Sequence, residues 1–109
     1  MRLAYRITFD FDSERLSGES VRTLQKILIA MQAHPEWRFR IEGHTDASGT
    51  PEHNLALSHR RAAAAKQYLE SAGIPKDRLS ITAFGASHPL AARGDQPASL
   101  NRRVEFYRR

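Results

Sequence analysis

An arginine stands where a helix should be apolar. From about residue 54 to residue 71 the chain reads as an alanine-rich helix. On a helical wheel Ala64, Ala65 and Tyr68 gather around Leu57, and Arg61 falls among them, about 40° from Leu57. A packed stem with a hydrated head is the common arrangement for such a residue. A helix starting at Asn54, however, puts Arg61 near its N-terminus. Free backbone N–H groups there favour anions, and a cation opposes the helix dipole. The position asks for an anionic partner, and Asp46, in the preceding polar loop of residues 43–53, is the nearest candidate. Two arrangements are open. In one, Asp46 and Arg61 form a plain ion pair that closes the loop. In the other, both stay partly free for a zwitterionic ligand, with Asp46 taking an ammonium and Arg61 a carboxylate through two parallel hydrogen bonds.

Other polar residues nearby are less specific. Asn54 reads as the N-cap of this helix, and Ser58 as a serine on its first-turn surface. Alternation puts Arg102 on the face of Val104 and Arg103 on the opposite one. His44, Asp46, His53 and His59 cluster in sequence, but their spacing matches no metal motif with a known mechanism. Ser58 and His59 are adjacent on a helix and cannot face each other. No glycine-rich phosphate loop is present. The chain therefore reads as a binding protein and not an enzyme, with no metal and no cofactor.

Composition narrows the partners. The chain has 109 residues, 40% hydrophobic and 27% charged, which reads as one globular domain over residues 1–109. The net charge is +5 and the pI about 10.2, so anionic partners are favoured, among them nucleic acid, anionic lipid and acidic wall polymer. Nucleic acid fits poorly, because the basic residues are scattered and the aromatics read as core. Cysteine is absent, which excludes disulfides and thiolate chemistry. No apolar run reaches the length of a membrane span, and the start Met1-Arg2-Leu3-Ala4-Tyr5-Arg6 leads into no signal-peptide core.

The elements that must position these residues follow from periodicity. Tyr5, Ile7, Phe9 and Phe11 alternate with polar residues and predict a half-buried strand. Ser17 caps a helix over Gly18–Ala33, with Glu19 in its first turn and Val21, Leu24, Ile27, Leu28 and Met31 at helical spacing. His34-Pro35 stops it. Trp37, Phe39 and Ile41 predict a second strand. Gly73-Ile74-Pro75 ends the second helix. Leu79, Ile81 and Ala83 form a third strand and Val104 and Phe106 the inward face of a fourth. The order β-α-β-α-β-β predicts an α/β (α+β) two-layer sandwich, two helices on one face of a mixed sheet of about four strands.

Three separated motifs carry a resemblance. The stretch Gly43-His44-Thr45-Asp46-x-x-Gly49, then Asn54-x-x-Leu57-Ser58-x-x-Arg61-Ala62, then Asn101-Arg102-Arg103-Val104-Glu105 resembles the OmpA-like C-terminal domain family. That family includes OmpA, the peptidoglycan-associated lipoproteins and the periplasmic part of flagellar stators. The likeness begins at Ile7-x-Phe9 and includes Gly73 and Phe84-Gly85-x-x-x-Pro89. It implies non-covalent binding of peptidoglycan through the diaminopimelate of the stem peptide, anchoring a cell-envelope protein to the cell wall. It implies that Asp46 binds the ammonium and Arg61 the carboxylate of that ligand, with Thr45, Asn54, Leu55 and Arg102 lining or supporting the pocket. It implies a periplasmic location, as a domain of a longer envelope protein whose signal and anchor are not in this chain, without membrane insertion by the domain itself. Ala86 stands where the family often has glutamate, and residues 95–100 look shortened, without the usual Gly-Arg before Asn101. The alternative use of the same fold is a basic scaffold for a protein or anion, without diaminopimelate recognition.

Overall fold

Both helices begin where a side chain can cap them. The computed structural model describes residues 1–90 and 98–109. Helix α1 spans Gly18–Ala33, as its spacing predicts. Ser17 accepts the Ser20 N–H at 3.1 Å, and Glu19 lies in the first turn. Helix α2 spans Pro51–Ser71 and starts about a turn earlier than its apolar spacing suggests. Thr50 is the cap, accepting the His53 N–H at 3.1 Å, and Pro51 takes the first helical position. Asn54 is therefore a buried residue inside the helix and not its cap. Arg61 lies in mid-helix, its Cα roughly 15 Å along the axis from the N-terminus, so the donor-rich helix end does not surround it. The end of α2 follows the sequence: Gly73, at φ 103°, donates to Glu70 O, and Ile74 donates to Leu69 O while burying its side chain.

Among the described residues there are four strands: β1 (Arg2–Thr8), β2 (Phe39–Gly43), β3 (Leu79–Ala83) and β4 (Arg103–Arg108). They form one mixed sheet in the order β1-β4-β2-β3. Strands β2 and β3 are parallel and joined through α2, while β4 is antiparallel to both of its neighbours. Short 3-10 turns at Lys76–Arg78 and Ala98–Asn101 precede β3 and β4. Of the segment read as shortened, residues 95–97 lie outside the described residues.

Two strand expectations need correction. Strand β1 ends at Thr8, so Phe11 is not on its inward face but 65% exposed. The chain leaves the sheet after Phe9, whose N–H bonds Arg102 O, and turns at Asp12, which has a positive φ of 51°. Trp37 precedes β2 and stacks on the His34 ring at 3.9 Å.

Every second residue of β2 and β4 turns toward the helices. Phe39, Ile41, Val104 and Phe106 are fully buried there against Leu24, Ile27 and Met31 of α1 and Ala62, Ala65 and Leu69 of α2. Small alanines let α2 sit close to the sheet. The approach is tightest at Gly43, where an added Cβ would stand 1.8 Å from the backbone oxygen of Ser58. Ser58 itself is fully buried, not on the surface, and its hydroxyl accepts the Gly85 N–H at 2.9 Å. A methyl group at residue 43 has only backbone to push against. We expect Gly43→Ala to destabilise the fold by about 3 kcal/mol, read from the urea midpoint, whereas Gly18→Ala, whose Cβ would meet only the Arg22 side chain at 3.7 Å, leaves it nearly unchanged.

Candidate functional site

The loop after β2 and the turn after β1 face each other across the head of α2. Between them lies a cavity of about 200 Å³ lined by residues of all three segments. Phe11 and Asp12 come from the first turn, Thr45, Asp46, Ser48 and Gly49 from the loop, and His53, Asn54, Leu57 and Arg61 from the helix.

Arg61 sits at its base, fully buried. Its guanidinium donates to Ser13 O at 2.7 Å, His44 O at 3.1 Å and Asp10 O at 3.0 Å. It also lies over the Phe9 ring, 5.3 Å from the centroid. The partner that the helix position asked for is thus a set of backbone carbonyls, not the Asp46 carboxylate. Burial lowers the pKa of Arg61 to about 10, and the nearby Asp46 charge acts against that shift, so the group is cationic at neutral pH. A guanidinium has more N–H donors than three carbonyls use, so Arg61 keeps donating capacity at the cavity.

Asp46 pairs instead with Arg102, at 3.3 Å, while its other oxygen accepts the Ser48 N–H at 3.0 Å and the Ser48 hydroxyl. Burial opposes its charge, but the Ser48 bonds and Arg102 outweigh it and hold the carboxyl below its ordinary pKa. Arg102 also donates to Phe9 O at 3.0 Å and so stands behind the cavity, not in its lining. The Thr45 hydroxyl is buried without a hydrogen-bond partner among the described residues. Asn54 donates to Gly49 O at 3.2 Å and fixes the end of the loop. Leu55 is 52% exposed and does not line this cavity. It borders an adjoining, larger cleft of about 420 Å³ with Pro51, Phe84 and Gly85, and Gly49 and Asn54 belong to both.

The structure brings Asp46, Arg61, Thr45 and Asn54 to one cavity, sets Arg102 behind it and Leu55 beside it. Sequence reading missed Phe11 and Asp12, because the strand pattern carried it past the turn. It also missed His53 as a rim residue, where Nε2 lies 2.6 Å from Asp12 Oδ1. The histidine cluster does not converge: His53 meets Asp12, His59 is exposed, and the His44 ring packs against Phe84 at 5.3 Å.

Comparison with known proteins identifies the family. The OmpA family model matches residues 8–103. The chain belongs to the OmpA family. Over 100 residues it is 41% identical to the peptidoglycan-associated lipoprotein of Brucella melitensis, covering 91% of this chain and 60% of that protein. The Pasteurella multocida lipoprotein of the same name is 38% identical over 99 residues, 90% of this chain and 66% of that one. The chain thus spans about three fifths of the length of the Brucella relative. The crystal structure of the peptidoglycan-associated lipoprotein from Burkholderia pseudomallei superposes with a TM-score of 0.89 at 30% identity, over 95% of this chain and 89% of that one. The C-terminal domain of Helicobacter pylori MotB shares the fold, with a TM-score of 0.86 at 21% identity, over 97% of this OmpA-family chain and 84% of its own.

Two stability predictions follow from the buried charges of this OmpA-family domain. Arg61→Ala leaves three carbonyls without their donor and should cost about 3 kcal/mol or more, measured by thermal melting. His44, 2% exposed, has its pKa lowered from 6.5 to about 4, first by burial and then by Arg103. Between those values the unfolded chain takes up a proton that the folded chain refuses. Stability is full above pH 6.5 and falls as the pH drops toward 4, by roughly 3 kcal/mol. His44→Gln should flatten that part of the acid profile, read as the urea midpoint against pH.

Proposed function

We propose that this chain is a peptidoglycan-binding module that grips the diaminopimelate of the stem peptide and anchors a cell-envelope protein to the wall. The observation that carries the reading is a single cavity lined by a charged arginine, a low-pKa aspartate and an unpartnered buried hydroxyl. A zwitterionic amino-acid head is neutral in sum and needs donors and acceptors of opposite sign at one ligand's length. Arg61 offers its remaining N–H donors to the carboxylate, and Asp46 offers acceptor capacity to the ammonium. Thr45 adds a hydroxyl that can donate or accept. The adjoining cleft beside Leu55 and Phe84 gives the rest of the stem peptide an apolar wall.

The relatives' names support the same reading, as does a net charge of +5 against an anionic wall. They also support a periplasmic setting within a longer envelope protein. Among the described residues no helix is long and apolar enough to cross a membrane. The reaction is binding without cleavage and needs no cofactor. One observation favours the other reading, a basic scaffold without diaminopimelate recognition: Asp46 already has Arg102, and Arg61 already has its carbonyls.

Sedimentation with insoluble diaminopimelate-type peptidoglycan separates the two. Asp46→Asn is the cleaner variant, because it keeps the shape and the Ser48 contact of a residue outside the core. Losing one partner of a buried charged contact costs roughly 2–5 kcal/mol, so binding should fall about 30-fold or more. Arg61→Lys should also bind poorly, since an ammonium lacks the planar fork. Arg38→Ala removes one positive charge from an exposed side chain that donates to Asp77 O, and should bind like the parent. Free diaminopimelate should compete, and added salt should weaken binding only modestly. Equal binding by folded Asp46→Asn and Arg38→Ala would leave the scaffold reading in place.

A further inference from the structure

The sheet face turned away from the helices is charged where an apolar face would be expected for buried residues. Alternation puts Arg40, Glu42 and His44 there from β2 and its end, and Arg103, Glu105 and Tyr107 from β4. The register sets Glu42 directly opposite Glu105. Like charges in that relation are destabilising unless something cationic lies between them. Both carboxylates are nearly inaccessible, and so is the His44 ring.

Among the described residues, arginines engage one oxygen of each carboxylate. Glu105 Oε2 accepts from Arg6 Nε at 2.9 Å and from Arg103 Nε at 3.0 Å, and Glu42 Oε2 is bonded by Arg40. The Oε1 atoms turn toward the histidine. His44 Nε2 lies 3.5 Å from Glu42 Oε1 and 3.8 Å from Glu105 Oε1, and the three groups each bring one ligand atom within 4.8 Å of the others. These separations exceed hydrogen-bond length. Among the described residues both His44 ring nitrogens are buried without a hydrogen-bond partner, a state that protein interiors rarely leave unexplained. The separations do suit an ion. Two ligands about 2.1 Å from a tetrahedral metal stand about 3.4 Å apart.

We propose that Glu42, His44 and Glu105 form a site for a divalent transition-metal ion of the Zn2+ class, buried between β2 and β4 on the sheet face opposite the helices. Two carboxylates match the charge of the ion, and the imidazole selects it over Mg2+ and Ca2+, which prefer oxygen alone. A remaining coordination position is left for water. Arg6, Arg40 and Arg103 hold the carboxylates from behind, and Tyr107 donates to Glu105 Oε1 at 3.0 Å, the outer contacts that orient metal ligands. The same arginine charges moderate the affinity. The ion cross-links the two central strands at the point where β2 releases the loop carrying Thr45 and Asp46, so it braces the cavity wall. The site shares no lining residue with that cavity, and it stands or falls independently of diaminopimelate binding.

The test is titration of Zn2+ into chelator-treated protein, followed by calorimetry and thermal melting. One equivalent should bind, and at a hundredfold excess over Kd it should raise Tm by roughly 10 °C, with Mg2+ giving no shift. Glu42→Gln and Glu105→Gln keep the side-chain shape, and each should weaken binding about tenfold or more. His34→Gln, which removes an exposed imidazole beside Glu36, should bind like the parent and so excludes capture by that surface histidine. Absence of any Zn2+ stabilisation in the parent overturns the proposal. So does survival of the bound equivalent in both glutamate variants, or its loss in His34→Gln.

Discussion

The cavity exists because one guanidinium ties three carbonyls together. Asp10 and Ser13 belong to the link after β1, His44 to the end of β2, and all three are drawn to Arg61 of α2. Backbone carbonyls in such a place need donors. A lysine has too compact a head to span the three, whereas the planar fork of arginine reaches each one. Burial of the charge is costly, as its lowered pKa records. The carbonyl bonds, the Phe9 ring and the nearby Asp46 charge offset that cost. Because the tie joins both loops to the helix, the two cavity walls keep their separation through Arg61.

Close packing supplies the second constraint. Gly43 lets the backbone of β2 meet the backbone of α2 at Ser58, and the Ser58 hydroxyl then holds Gly85 at the end of β3. The residues after Gly43 consequently leave the sheet in a fixed direction. His44 turns to the outer face, while Thr45 bonds Gly85 O through its N–H and turns toward the cavity with Asp46. A second arginine works at the other end of the molecule. Arg78 donates to Met31 O, His34 O and Trp37 O, closing the end of α1 onto the start of β2. Both ends of β2 are therefore held by arginine-to-carbonyl contacts, and the strand itself by core packing.

Partnered charges and ligand binding are compatible here. Arg102 and Ser48 hold the Asp46 carboxylate in one orientation and keep it ionised. A carboxylate so held loses little further freedom when it accepts another donor, which is the gain from preorganisation. Arg61 is fixed in the same way.

Much of the architecture was legible in the sequence, and for local reasons. Ser17 with Glu19 marks the start of α1, Gly73-Ile74-Pro75 the end of α2, and period-two runs mark the strands, because caps and alternation involve neighbours along the chain. Arg61 stood out as misplaced on its helix face, and Asp46 as its companion in the site. The start of α2 was misread because Asn54 and Thr50 are both competent caps, and the proline after Thr50 decides between them. What Arg61 bonds was not legible: its acceptors are backbone carbonyls, which every residue carries and which no pattern singles out. The meeting of Glu42, His44 and Glu105 was equally hidden, since strand register across β2 and β4 joins residues far apart in the chain. Side-chain type and local spacing belong to the sequence. Which groups share a cavity, and which charges are left facing one another, is decided only when sheet order and helix packing bring distant backbone together.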